Sequence, residues 1–189
     1  MASSKNLKIA LLGLGRAGKF HIQSIQSIPG ISLRCVVDVD ESLAKRLAKE
    51  LECNYATDVD GPLGQKDVDA VIVASPTHEH YGQILAALEA GKAVFTEKPL
   101  GSSLEEIDSC FGLAKRNELP LFVGFNRRFD PSFSGLARGV KEGQVGVLQM
   151  LRVTSRDSPL PTMDYIKTCL LYTSPSPRDL STARMPSSA

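Results

Sequence analysis

The glycines at 13, 15 and 18 stand in Gly13-Leu14-Gly15-Arg16-Ala17-Gly18, a G-x-G-x-x-G spacing. In that spacing the first glycine permits a tight turn and the second lets the backbone approach a pyrophosphate. The third lets the following helix pack close to a strand. The anion then meets the unpaired N–H groups at the helix N-terminus. Asp38 follows Gly18 by about twenty residues, the interval at which a carboxylate meets the ribose hydroxyls of a dinucleotide. A carboxylate there repels a 2′-phosphate, and Val39 rather than an arginine comes next. The expected cofactor is therefore NAD over NADP. An ordinary tight turn plus a surface aspartate is the plainer alternative, and the conjunction of strand, glycines, helix and acid counts against it.

A second group is Thr96-Glu97-Lys98-Pro99, which begins where an apolar run at residues 93–96 ends. Ligands of open α/β sheets bind along the edge formed by the C-terminal ends of the strands. A lysine at that edge lies near a nicotinamide, where burial and the positive ring disfavour the ammonium and suit proton transfer. From position alone, a surface lysine in a strand-to-helix loop is the plainer reading. Pro99 could aim the lysine through a cis bond, although trans is the default.

These side chains need elements that bring them to one edge. Apolar runs at 8–12, 33–37, 68–74, 93–96 and 121–125 are bounded by glycine, proline or charge. Continuous runs of this length suit strands buried on both faces of a parallel sheet. Between them the period is helical. Leu43, Ala44, Leu47, Ala48 and Leu51 share one face, and Tyr81, Ile84, Leu85 and Leu88 share another, with Gly91 placed to end that helix. Leu104, Ile107, Phe111 and Ala114 form a third, opened by Ser103 and Glu106 at capping-box spacing. The stripes are core-facing surfaces, and strand alternating with helix predicts an α/β, doubly wound Rossmann fold.

Composition narrows the class. The 189 residues are 42% hydrophobic and 23% charged, with a net charge of +1. That apolar share exceeds what a disordered chain carries, and no run approaches the ~18 apolar residues of a membrane span. The near-neutral charge, without a basic cluster, argues against nucleic acid as a partner. Cys35, Cys53, Cys110 and Cys169 are widely spaced, as isolated thiols of a reducing compartment are, so a cytoplasmic location is expected. His21, His78 and His80 lack metal-ligand spacing. His78 reads as solvated, and His21 as a packing or surface residue.

Taken together, Gly13 to Gly18, Asp38, Ser75-Pro76-Thr77-His78-Glu79-His80, Glu97-Lys98-Pro99 and Gly124-Phe125-Asn126-Arg127-Arg128-Phe129-Asp130 resemble the glucose-fructose oxidoreductase/inositol dehydrogenase/rhizopine catabolism (Gfo/Idh/MocA) family. Ser155-Arg156-Asp157 and Tyr165-Ile166-Lys167 are similar to the pattern of its myo-inositol 2-dehydrogenases. The likeness covers about residues 6–168. It implies NAD-dependent oxidation of a cyclic polyol or sugar, with hydride passing from the carbinol carbon to the nicotinamide. Lys98 is then the catalytic residue, orienting the hydroxyl and taking part in proton transfer. The resemblance puts Gly13, Leu14, Gly15, Arg16, Ala17, Gly18, Asp38, Ser75, Pro76, His80 and Glu97 at the cofactor. It puts Asn126 and Arg127 at the substrate, and Arg128 in a structural ion pair. It also implies a homo-oligomer. Surface roles for the arginines and a helix-starting role for His80 are the plainer alternatives.

Family members extend to two domains, at roughly 300 residues, and their second domain supplies an Asp-x-x-x-His pair that this sequence lacks. Residues 1–124 are accordingly expected to form the NAD-binding domain and 125–168 the start of a truncated second α/β domain. Residues 147–154 alternate as the first strand of its sheet, with Leu148, Met150, Leu151 and Val153 on an apolar face. Residues 169–189 are dense in serine and proline and resemble a translated cDNA-library adapter, so they are expected to be a non-native tail. The fragment is expected to bind NAD and to turn over poorly. A non-catalytic NAD-binding sensor or partner-binding module is the alternative, and a related NADP-using sugar oxidoreductase is disfavoured by Asp38. Titration of both cofactors checks the reading at Asp38: NAD binds more tightly than NADP, and Asp38→Ala weakens NAD while narrowing the difference. Equal affinity of the unmodified chain for the two would contradict it.

Overall fold

A computed structural model describes residues 6–154. The chain divides at Gly124/Phe125 into two units. The first contains strands β1 (Leu7–Leu12), β2 (Ile31–Val37), β3 (Asn54–Ala56), β4 (Ala70–Val73), β5 (Ala93–Thr96) and β6 (Leu121–Val123). Its helices are α1 (Arg16–Ser27), α2 (Glu41–Glu50), α3 (Asp60–Gly64), α4 (Thr77–Glu89) and α5 (Leu104–Arg116). All strand pairs are parallel, in the order β3-β2-β1-β4-β5-β6. This is the doubly wound Rossmann sheet, and its order reverses between β1 and β4.

Side-chain alternation in the strands divides the interior into two cores. Leu11 and Val36 pack with Ile22 of α1 and with Ala44 and Ala48 of α2. Ala10, Leu12, Cys35, Val37, Val71, Val73 and Val94 point the other way, against Ile84, Ala87 and Leu88 of α4 and Cys110 and Ala114 of α5. A period of two along each strand requires this split, because successive side chains leave opposite faces. Burial pushes the Cys35 and Cys110 thiols up to about 11, so both stay protonated and behave as small apolar residues.

Helix ends follow local chemistry. Ser103 Oγ accepts from the Glu106 N–H at 3.2 Å, while the Glu106 carboxylate turns back to the N–H of Ser102. Gly91, at φ +74°, follows α4 in the left-handed region where glycine carries no Cβ penalty. Two elements of the first unit have no counterpart among the expected elements. β3 is a three-residue edge strand with Asn54 and Tyr55 exposed, and α3 is one short turn around Pro62. Neither buries a repeating face, so neither leaves a pattern to read. β4 and β6 are also shorter than their apolar runs.

The second unit begins with a 3₁₀ turn, Asn126–Phe129, and helix α6 (Pro131–Lys141). Asp130 caps α6, its Oδ1 accepting from the N–H groups of Ser132 and Phe133 at 2.9 and 3.1 Å. The expected strand at 147–154 is a correction: only an isolated bridge at Leu151 forms among the described residues. Apolar alternation marks a face, whereas a strand also needs a hydrogen-bonded neighbour along its length. Residues 155–157, 165–167 and 169–189, with Cys169, lie outside the described residues.

Gly18 sets how closely α1 approaches β1. A Cβ there would lie 2.1 Å from the carbonyl oxygen of Gly13. Alanine gains about 1 kcal/mol of helix propensity. Overpacking against backbone typically costs ~1–3 kcal/mol, and here the obstructing atom is not the end of a flexible side chain. Gly18→Ala is expected to lower the melting temperature by roughly 2–8 °C. An unchanged or higher value in thermal unfolding would show that the loop yields freely.

Candidate active site at the carboxyl edge of the sheet

The register places the strand ends side by side. Leu12 is level with Val37 on one side and with Val73 on the other, Val73 with Thr96, and Thr96 with Val123. The ladder continues one residue further: Gly13 N–H donates to Val37 O, Ala74 to Leu12, Glu97 to Val73 and Gly124 to Thr96, each at 2.8 Å. The glycine loop, Asp38, the Ser75 loop and Glu97-Lys98-Pro99 therefore leave the sheet along one edge.

Within that edge the glycine loop is tightly constrained. Gly13 has φ +90°, and a Cβ on it would lie 2.6 Å from the backbone of Ser75. Gly15 precedes α1 with no side chain capping the helix, and the space beside its Cα is open. The first-turn amides of Arg16, Ala17 and Gly18 are therefore left without a side-chain acceptor. Asp38 Oδ2 accepts the Leu14 N–H at 2.8 Å, and its Oδ1 accepts the Asp40 N–H at 3.0 Å. Each carboxylate oxygen keeps a further lone pair for another donor. Val39, beside it, is 92% exposed.

The Ser75 loop and the Lys98 loop are joined through His80. This histidine is 2% exposed; its Nδ1 lies 2.6 Å from Pro99 O and its Nε2 2.9 Å from Ser75 O. Both ring nitrogens are engaged with protein, so His80 shapes the border of the site rather than offering a free nitrogen to a cofactor. Ser75 Oγ donates to Gln83 Oε1 at 2.7 Å, and Pro76 stands at the start of α4. The Lys98-Pro99 bond is cis, and Lys98 is half-buried.

One partner of Glu97 left no readable signal in the sequence. His21 of α1 donates from Nε2 to Glu97 Oε1 at 3.0 Å, and its ring meets Phe95 edge-on at 5.3 Å between centroids. It is a packing residue with a polar task. The His21 hydrogen bond, with smaller help from the Lys98 backbone and charge, holds the Glu97 carboxyl below the usual carboxylate range despite partial burial. The two residues are 76 positions apart, and only the parallel topology brings α1 to the end of β5.

Asn126 and Arg127 belong to the second unit, where the 3₁₀ turn leaves Asn126, Arg127 and Arg128 exposed. The Arg127 guanidinium lies 4.9 Å from the centre of the Phe133 ring, within cation–π range. His78 is exposed and pairs with Glu79 at 3.2 Å. No group of three or more His, Cys, Asp or Glu side chains among the described residues can hold a metal. No helix among them is long and apolar enough to cross a membrane.

These residues fit a dinucleotide: an uncapped helix start, open space at Gly15, and an anchored carboxylate one strand away, as phosphate and ribose require. The Glu97–His21 pair makes a separate prediction with a definite sign. The carboxyl of Glu97 is lowered in the folded chain, so the pair stabilises fully above its ordinary value of 4.5. That contribution is lost as pH falls through the lowered folded value. Thermal unfolding at about pH 6 and about pH 3 should show a larger loss for the unmodified chain than for Glu97→Gln. Identical losses would mean the pair carries no linked proton.

Comparison with known proteins agrees with this geometry. Residues 7–125 match the family model described as an oxidoreductase family with an NAD-binding Rossmann fold. The inositol 2-dehydrogenase of Rhizobium meliloti (strain 1021) is 35% identical over 161 residues, covering 85% of this chain and 48% of that protein. The myo-inositol 2-dehydrogenase of Thermotoga maritima is 36% identical over 162 residues, with 85% and 48% covered. The crystal structure of scyllo-inositol dehydrogenase from Lactobacillus casei, with bound NAD(H) and scyllo-inositol, superposes with a TM-score of 0.72 at 35% identity. That match covers 77% of this chain and 44% of that one. The chain spans about half the length of the curated relatives it matches. With this sheet order, this glycine loop and these matches, the chain belongs to the Gfo/Idh/MocA oxidoreductase family, and its first unit is an NAD-binding Rossmann domain.

Proposed function

We propose that the protein is a dehydrogenase of the inositol dehydrogenase type, oxidising a hydroxyl of a cyclic polyol or sugar. The observation that carries the reading is the placement of half-buried Lys98 at the end of β5, on the sheet edge that also carries the glycine loop and Asp38. A pure cofactor sensor has no need of a lysine there. Several relatives that match this chain are named inositol dehydrogenases.

When bound, NAD supplies the hydride acceptor. The uncapped first-turn amides of Arg16, Ala17 and Gly18 would hold the pyrophosphate, with Gly13, Leu14 and Gly15 shaping the turn beneath it. The remaining lone pairs of Asp38 would receive the ribose hydroxyls. Ser75 and Pro76 border the nicotinamide end, with His80 behind them. Lys98 Nζ binds the substrate hydroxyl and holds or passes on its proton as hydride departs, while Glu97 fixes the loop at its base through His21. Asn126 and Arg127, in the second unit, carry the donors that the family resemblance assigns to the polyol. The complete relay needs the Asp-x-x-x-His pair of the longer family members, which this sequence does not contain.

The chain as given should bind NAD in calorimetry. It should form NADH from myo-inositol at least ~10²-fold more slowly than an intact inositol dehydrogenase, the typical effect of losing an acid–base group. In the chain joined to a complete second domain, Lys98→Met should lower kcat by ~10²–10⁴ and leave NAD affinity nearly unchanged. An unaltered kcat in that variant would overturn the assignment of Lys98.

A further inference from the structure

His80 faces two carbonyl oxygens, Pro99 O from Nδ1 at 2.6 Å and Ser75 O from Nε2 at 2.9 Å. A carbonyl only accepts, and a neutral imidazole carries one N–H and one lone pair. A neutral ring therefore makes one of these bonds and sets a lone pair against an oxygen at the other. Both contacts are attractive only when the ring carries two protons. The ring is 2% exposed, so water does not relieve the mismatch.

We propose that His80 is the positioning residue of the lysine loop: doubly protonated, it ties the Pro99 carbonyl to the Ser75 loop, and loss of a proton releases one end. The proposal rests on the reading that Lys98 does the chemistry. Its consequence for the loop is independent of any substrate. Because Pro99 follows Lys98 directly, the grip on the Pro99 carbonyl fixes the backbone from which the lysine projects.

The surroundings oppose and favour the cation in identifiable ways. Burial removes its hydration, and His80 is the fourth residue of α4, near the positive end of the helix dipole. Against these stand two aligned carbonyls, one of them at a distance typical of charge-assisted bonds. On α4 itself, Glu79 is paired with His78. On the loop carrying Pro99, Glu97 is bound to His21 and Lys98 is the other charge. β4, which leads into the Ser75 loop, has none. On α5, Glu106 holds the Ser102 N–H, Glu105 and Asp108 are exposed, and Lys115 and Arg116 lie in the last turn.

The test uses the unmodified chain labelled with ¹⁵N, without substrate. Ring-nitrogen resonances of His80 are followed against pH, with amide exchange at residues 97–101 corrected for its intrinsic rise with pH. The expected result is two protonated, near-equivalent ring nitrogens at the lower pH. As the ring loses a proton, protection of residues 97–101 should fall by at least tenfold. In His80→Gln, whose amide does not titrate, the corrected protection should be independent of pH. A ring that stays singly protonated wherever the chain is folded would overturn the proposal. So would a pH-dependent loss of protection that persists in His80→Gln, since Glu97 and His21 would then be its source. None of these readings depends on turnover, so failure of the Lys98 assignment leaves a different signature: a normal His80 titration with an unaltered kcat in Lys98→Met.

Discussion

The carboxylate of Asp38 holds the Leu14 N–H at 2.8 Å, and the placement of the glycine loop depends on this bond across the gap between β2 and β1. A glycine-rich turn has more conformations to lose than any other loop. Here three constraints select one of them: the Gly13 N–H on Val37, the Leu14 N–H on Asp38, and the absence of a Cβ where Gly13 meets Ser75. The same carboxylate that fixes the turn lies at the carboxyl edge of the sheet, so the loop and Asp38 are ordered together. The start of α1 is thereby aimed at the cofactor edge without a side chain of its own to cap it.

The second half of the edge is built by different means. Around Lys98, side chains from helices distant in sequence grip the backbone: His21 from α1 at Glu97 and His80 from α4 at Pro99. Both histidines lie where the sheet order reverses, since β1 and β4, which precede those helices, are neighbours across the reversal. The crevice that admits a ligand in a doubly wound sheet is thus also where α1 and α4 can reach the end of β5. Positioning a flexible lysine through the backbone at its base limits its reach without occupying its amine.

Much of this was legible in the sequence where the constraint is local. Gly13 and Gly18 are readable because a Cβ on either would lie 2.6 or 2.1 Å from neighbouring backbone atoms, so the spacing records geometry. Asp38 is readable as an acid at the end of a strand, but its hold on Leu14 is not. The apolar runs that hold β1, β2, β4, β5 and β6 are readable because a strand buried on both faces needs unbroken apolar sequence. The stripes of α2, α4 and α5 are readable because one buried helix face imposes a period. β3 and α3 bury too little to impose one. His21 reads only as a packing or surface residue, since its partner lies 76 residues away, and no local pattern encodes a contact that only topology creates. At 147–154 the reverse holds: the pattern is present, while among the described residues the ladder that would make it a strand is not.

The most direct test of the account is to map where NAD binds on the unmodified chain, by following backbone amide resonances during titration with the dinucleotide. The account predicts the largest changes at residues 13–18 and 38–39, followed by 75 and 97–98, along one edge of the sheet. Saturable binding that leaves the glycine loop and Asp38 unperturbed, with changes confined to other surfaces, would contradict it.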